Sequence, residues 1–368
     1  MKCTVDGKQL RELVAEAAQH AGRDAPRNAV TLLVEKANPH RLHVSASDTL
    51  RAFTGLCGVE EGAKPGQAHL APAFLASVTR LLDGPVDLEL TKAGRLRLSQ
   101  PGGVTSVVPS VVEVESFTLP DWDGYEMLDA ERVADALKGL GCITPVQWPG
   151  AQVFEGLKDS FELIQMETGF FTRQRIRHGQ GSNGYGSVPL PASLLPIELQ
   201  KRLAGVERGE RGVLRWCERW YGYESGGWTW CYRSQDHVLP EGTQAMTSGF
   251  VEAGVRIGEI DTARLSLALK RAAAVVPVDK HVHLQLQVFE DVSYLSVCAG
   301  PEGQRSEDRF VVDVDDGAEL DAWFYLPRLQ RMVGVCKGLV EMRYGSDALT
   351  LEPDPDETYV LMRVHHVQ

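Results

Sequence analysis

The residues best placed to do chemistry in this 368-residue chain are basic, and the chemistry they suggest is phosphate binding. Arg264 and Arg271 lie seven apart on a helical pattern, and Leu265, Leu269 and Ala272 fall on the opposite side. Arg328 and Arg331 likewise point away from an apolar face of Leu329, Met332, Val333 and Cys336. Arg11, Arg80, Lys138, Lys201 and Arg202 occupy four further helical stretches. One such helix reads as ordinary solvated surface. Six of them read as a surface that meets a polyanion.

Other constellations carry less. Gly179-Gln180-Gly181-Ser182-Asn183-Gly184-Tyr185-Gly186 lacks the Lys-Ser/Thr of a phosphate-cradling loop and opens no helix, so a surface loop is expected. Asp313, Asp315, Asp316 and Gly317 look like the start of a calcium loop, but Phe324 stands where the closing Glu belongs. His281 and His283 share a strand face, and His365 adjoins His366. Neither pair has a third ligand at metal spacing, and neither metal nor cofactor is expected. Trp216, Trp220, Trp228 and Trp230 crowd one hairpin, either as sheet packing or as a platform for a partner or single-stranded base. With no G-x-S-x-G, H-E-x-x-H or paired carboxylates, nothing supports an enzyme.

The elements that must position the arginines recur along the chain. Leu128-Asp129-Ala130-Glu131-Arg132-Val133 and Ile260-Asp261-Thr262-Ala263-Arg264-Leu265 open two stretches that both end in Ala-Leu-Lys, and Val5-Asp6-Gly7-Lys8-Gln9-Leu10 opens a looser copy. In each, Asp is suited to cap the free N–H groups of a helix start. A second helix, with an early Pro and a closing Gly, recurs at 70–84, 190–205 and 325–338. The two sets of intervals agree to within about two residues, which points to three copies of one domain. Alternating stretches at 86–90, 95–98, 281–288, 294–297, 339–344, 348–351 and 358–364 predict half-buried strands. The fold class is therefore α+β with antiparallel sheets, divided into domains 1–121, 122–250 and 251–368.

Charge follows the same division. The chain holds 38 Lys+Arg against 50 Asp+Glu, a net of −12, with 43% hydrophobic residues. These values exclude a disordered chain and argue against a surface coated by nucleic acid. Yet the six candidate helices (8–21, 71–82, 129–140, 191–204, 261–274 and 326–337) hold 13 basic and 7 acidic residues, a surplus of +6 that leaves −18 elsewhere. An acidic total argues against a polyanion spread over the whole surface, not against one held on the basic helices. Seven scattered cysteines, none in C-x-x-C spacing, read as reduced core thiols. No apolar run reaches the roughly 18 residues of a membrane span, and Met1-Lys2-Cys3-Thr4-Val5-Asp6 does not read as a signal peptide. The cytoplasm is the expected compartment.

With these features the chain resembles the bacterial replicative sliding clamp, the beta subunit of DNA polymerase III. Met1-Lys2-Cys3-Thr4-Val5 is similar to the family's opening strand. Leu42 to Leu50 is similar to its strand ending in a Thr-Asp-Leu-Glu type turn, and His69 to Leu82 to its first domain's second helix. Phe117-Thr118-Leu119-Pro120-Asp121-Trp122 sits where the family has a Phe-Pro linker, and Tyr359-Val360-Leu361-Met362-Arg363-Val364 resembles the terminal Tyr-Val-Val-Met-Pro-Met. The likeness spans the chain, closer in the outer thirds than in the middle.

The resemblance implies three clamp domains per chain, a head-to-tail homodimer closed into a ring, and double-stranded DNA threaded without sequence readout. It implies a non-catalytic subunit that tethers a DNA polymerase and clamp loader through short peptide motifs. By position Arg23 resembles a DNA-contacting arginine, and Phe154, Gly169, Val360 and Met362 fall in the peptide pocket. Ala274, Val275 and Val276 fall where the family places interface hydrophobics. The pocket departs from the family in two places. Met166-Glu167-Thr168-Gly169-Phe170-Phe171-Thr172 replaces an Ala-Thr-Asp-Gly-His-Arg-Leu run, and Arg363 replaces Pro. Phe170 and Phe171 are either groove-lining or core aromatics. The departures leave open a clamp-fold adaptor or regulatory paralogue that recruits a private partner.

Overall fold

The structure is a computed structural model. It describes residues 1–24, 26–103, 105–111, 114–115, 117–129, 135–137, 152–157, 160–167, 170–177, 193–206, 211–234, 249–250, 252–276, 280–301, 305–354 and 357–364. Lys138, Gly169, Cys142 and the glycine-rich 179–186 stretch lie outside these residues.

Strand β1 (Lys2–Asp6) feeds helix α1 (Gly7–His20), followed by β2 (Val30–Val34), β3 (Arg41–Ser47), β4 (Arg51–Gly58) and β5 (Gly66–Leu70). Helix α2 (Pro72–Thr79), β6 (Pro85–Leu90), β7 (Arg95–Ser99) and β8 (Thr105–Pro109) complete the first series. The second begins with β9 (Gly124–Asp129) and helical residues 135–137, then β10 (Gln152–Leu157), β11 (Ser160–Glu167), β12 (Phe170–Arg177) and β13 (Ser193–Leu194). It ends with α3 (Ile197–Ala204), β14 (Arg211–Cys217), β15 (Trp220–Ser225) and β16 (Trp228–Arg233). The third has β17 (Val255–Asp261), α4 (Thr262–Val275), β18 (His281–Phe289), β19 (Val292–Ala299), β20 (Ser306–Val312) and β21 (Asp321–Tyr325). Helix α5 (Leu326–Val335), β22 (Leu339–Gly345), β23 (Ala348–Asp354) and β24 (Glu357–Met362) close it.

The caps anticipated from the sequence are present where described. Asp6 Oδ1 accepts from the Gln9 N–H at 2.8 Å, and Asp261 Oδ1 accepts from the Ala263 and Arg264 N–H groups at 2.8 and 3.1 Å. Pro stands in the first turn of α2 and of α5. The helix expected over 191–204 begins only at Ile197. Ser193 and Leu194 pair instead with Val153 and Gln152, and Pro196 occupies the helix N-cap.

Two compact units result. The first holds the described residues of 1–128 and 211–234, with a four-stranded sheet β1-β6-β7-β8 and an eight-stranded sheet β5-β2-β3-β4-β16-β15-β14-β9. The second holds those of 129–206 and 249–364, with an eight-stranded sheet β13-β10-β11-β12-β24-β23-β22-β17 and a four-stranded sheet β20-β19-β18-β21. The middle of the chain is thus shared: β9 and β14–β16 extend one unit's sheet, and β10–β13 the other's. Every described strand pairing is antiparallel.

Apolar helix faces fill the cores as their spacing predicts. Leu10, Leu13, Val14 and Ala17 of α1 are buried in the first unit. Leu265, Leu269 and Ala272 of α4 meet Leu329, Met332 and Val333 of α5 in the second. Each buried Leu or Val stabilises its unit by about 1.5–3 kcal/mol. The cysteines among the described residues are free, and burial pushes the Cys3 thiol up to about 12. Among the described residues, no helix is long and apolar enough to cross a membrane.

Candidate functional site

The candidate phosphate-binding residues divide by how much of each cation is left to the solvent. In the first unit Arg23 and Arg80 are exposed, while Arg11 directs a guanidinium N–H at the Leu82 carbonyl, 3.5 Å away beyond the end of α2. In the second unit Lys201 is exposed and Arg202 half-buried on α3. Arg264 is exposed and lies over the Phe310 ring at 5.5 Å from its centre. Arg328 covers the Tyr325 ring at 5.6 Å, and Arg331 the Phe170 ring at 5.9 Å, both half-buried. Such contacts hold a guanidinium by its face.

Arg271 is engaged differently. Its guanidinium makes a two-point contact with the Asp308 carboxylate of β20, with Nε donating to Oδ2 at 3.0 Å and Nη2 donating to Oδ1. That hydrogen bonding pushes the Arg271 pKa above its ordinary value. The pair cancels its own charge on the α4 surface.

The expected peptide-pocket residues partly converge. Phe171 of β12 pairs with Val360 of β24, and the two form a small apolar cluster with Ala348, flanked by Phe250 and half-buried Met362. The Phe171 and Phe250 rings lie 6.1 Å apart. Phe170, one residue earlier, points to the opposite sheet face and is 1% exposed in the large core. The open choice for the two phenylalanines therefore divides: Phe170 is core, Phe171 belongs to the small cluster. Phe154 lies in β10 opposite Glu162. Arg363 follows the cluster and pairs with Asp347 at 3.0 Å. Beyond Phe171 on the same sheet face stand Arg173, Arg343 and Glu352, whose pKa burial raises against the opposing pull of Arg343.

Of the expected interface residues, Ala274 is exposed at the end of α4, Val275 packs partly against the core, and Val276 is a core member at 9% exposure. Several of the histidines and tryptophans pack on other rings. His283 stacks on Trp323 with centroids 4.7 Å apart and bonds to Asp321. Trp228 and Trp230 pack on Phe53 of β4 at 5.6 and 5.9 Å. Asp313 to Gly317 form the turn after β20.

Two strands emerge that the sequence did not single out. Each eight-stranded sheet is closed by one seam, β4 on β16 and β12 on β24. In the four-stranded sheets the strands at the corresponding positions, β8 and β20, pair on one side only among the described residues. Both carry exposed valines, Val107 at 44% and Val311 at 69%, next to buried Val108 and Phe310. Thr105-Ser106-Val107-Val108 and Asp308-Arg309-Phe310-Val311 each read polar-polar-apolar-apolar, so no alternation marked them as strands, and alternation would not in any case say that an edge is left open.

No protein-family model matches the chain, and no curated protein matches its sequence. Solved structures do. The DNA polymerase III subunit beta of Pseudomonas aeruginosa is 15% identical with a TM-score of 0.75, covering 99% of this chain and 100% of its own. The same organism's sliding clamp bound to griselimycin is 15% identical with a TM-score of 0.74, covering all of both chains. The Bacillus subtilis DNA polymerase sliding clamp is 14% identical with a TM-score of 0.74, covering 100% and 99%. The protein has the sliding-clamp fold, α+β with helices packed on antiparallel sheets.

Proposed function

We propose that the protein is a DNA sliding clamp: two copies join head to tail into a closed ring that encircles double-stranded DNA and acts as a processivity factor. Each copy contributes three domains, 1–121, 122–250 and 251–368. The observation that carries this reading is the pair of open edges. In the β12·β24 seam, core-facing Phe170 lies opposite Leu361 and outward Phe171 opposite Val360. Strand β20 repeats the first order with Phe310 buried and Val311 exposed, and β8 repeats the second with Val108 buried and Val107 exposed. Carrying the register over sets Val311 of one copy opposite Val107 of the next. An interface that joins two different edges is head to tail, and a rotation that closes it makes a ring.

Arg11, Arg23, Arg80, Lys138, Lys201, Arg202, Arg264, Arg328 and Arg331 are the candidate phosphate contacts, sequence-independent and salt-dependent. The cluster of Phe171, Ala348, Val360, Phe250 and Met362 receives an apolar peptide anchor from a polymerase or loader. The ring needs no catalytic residue, and its place is the cytoplasm, on the nucleoid. Retention on nicked circular DNA after loading, followed by release when the circle is cut, tests the topology. A complex that survives linearisation would contradict it.

A second reading, an adaptor with the same fold, is favoured by Phe171 and the Arg363–Asp347 pair at the peptide cluster. It predicts dimerisation with poor binding of peptides that other clamps accept. Normal affinity for those peptides would remove it.

A further inference from the structure

We propose that the arginines of α4 also brace the open edge of β20 in the form that another copy's strand can join, with Arg271 and Asp308 as the positioning pair. This rests on the ring reading above. Along β20, Asp308, Phe310 and Val312 face α4 and the core, while Glu307, Arg309 and Val311 face outward. Arg271 holds Asp308 at two points, and Arg264 lies over Phe310. Just past the strand, Arg256 of β17 donates to the Asp313 carbonyl at 2.9 Å and stands 3.7 Å from the Asp315 carboxylate. The Asp315 N–H returns a hydrogen bond to the Arg256 carbonyl at 3.2 Å. Gly258 permits this approach, because a Cβ there would meet Val312 Cβ and the Asp313 nitrogen at 3.1 Å, at a φ of +137°. Two arginines therefore hold the strand, and a third holds the turn that follows it.

An edge strand with no neighbour on one side has half its ladder unmade, and anything that fixes its backbone beforehand lowers the ordering cost of pairing. Asp308 is also placed to matter, since the carried register sets it opposite Ser110 of the second copy, just past the end of β8. The same geometry removes Arg271 from the phosphate contacts. Its charge is met by Asp308.

The test compares wild type with Arg271→Gln and Asp308→Asn in three measurements: the dimer dissociation constant by sedimentation equilibrium, exchange of the β20 amides, and the salt slope of DNA affinity. The expected result is a dimer weakened on the order of fivefold, typical of a partly exposed ion pair. Faster β20 exchange and an unchanged salt slope accompany it. The charge-swapped double variant, Arg271→Asp with Asp308→Arg, regains dimer affinity. A slope reduced by about one with dimer and exchange unaltered would make Arg271 a phosphate contact and overturn the proposal. If the wild type stays monomeric at every concentration, the ring reading fails by itself. Exchange then still decides the brace: faster β20 exchange in Arg271→Gln supports it, and unchanged exchange rejects it.

Discussion

The seam of β4 on β16 and the seam of β12 on β24 are the same backbone joint built from different side chains. In the first, Phe53 lies opposite Trp230 and Gly55 opposite Trp228, with His20 5.8 Å from the Phe53 ring. The Trp230 indole N–H donates to Glu16 Oε1 at 2.9 Å, so even its polar edge is used internally. In the second, the outward pair is Phe171 and Val360, and Met362 beside them is only half-buried. The Phe53–Trp230 pair faces α1 and the core, as Phe170 and Leu361 do in the second seam, whereas the outward face of the second seam carries an apolar cluster flanked by half-buried Met362. A joint that serves only stability can be filled. In the proposed reading, half-buried Met362 of the second seam is where a peptide anchor packs.

The largest effect separating the two seams is thermodynamic. Phe53→Ala deletes a fully buried ring at the centre of the first seam and costs about 3–5 kcal/mol of stability, read by chemical denaturation. A loss below about 1 kcal/mol would mean the aromatic seam is not what joins β16 to the sheet. Next comes the open edge. Val311→Asp places an unpaired carboxylate opposite Val107 and weakens the dimer about a hundredfold by sedimentation, with the monomer still folded.

How much of this was legible beforehand depended on range. The Asp6 and Asp261 caps, the α4 and α5 apolar faces and the alternating strands are local patterns, and they were read correctly from spacing. The late start of α3 was missed because Pro191 and Pro196 offer competing helix starts and β13 is decided by pairing with Val153 forty residues earlier. The Arg271–Asp308 pair and the joining of the middle strands to both neighbours depend on residues far apart in sequence. Phe171 and Phe170, adjacent and chemically identical, were separable only once the strand register fixed which face each took.

Smaller effects sharpen the recognition side. Met362→Ala trims the half-buried flank of the second seam and weakens binding of an apolar clamp-binding peptide about tenfold, or about 1.4 kcal/mol, with stability nearly unchanged. If Phe53→Ala instead weakened peptide binding and Met362→Ala did not, the assignment of roles to the two seams would be reversed. The smallest effect is a pH dependence in the first unit. Burial holds the His69 pKa below its ordinary 6.5, with its Nδ1 2.9 Å from Thr31 Oγ1. The unfolded chain therefore takes up that proton first, and stability falls as pH drops below about 6.5. Denaturation midpoints at pH 7.5 and 5.5 should converge slightly in His69→Gln relative to wild type.

The most direct measurement joins the two edges covalently. Val107→Cys and Val311→Cys in one chain, treated with a short bifunctional thiol reagent after loading on nicked circular DNA, should give a cross-linked species of two 40.4 kDa chains. It should stay with the circle in denaturant and leave when the circle is cut. Variants carrying either substitution alone should give neither result. A double variant that remains at 40.4 kDa, or that cross-links without being held by the circle, would contradict a ring closed by β8 and β20 around DNA.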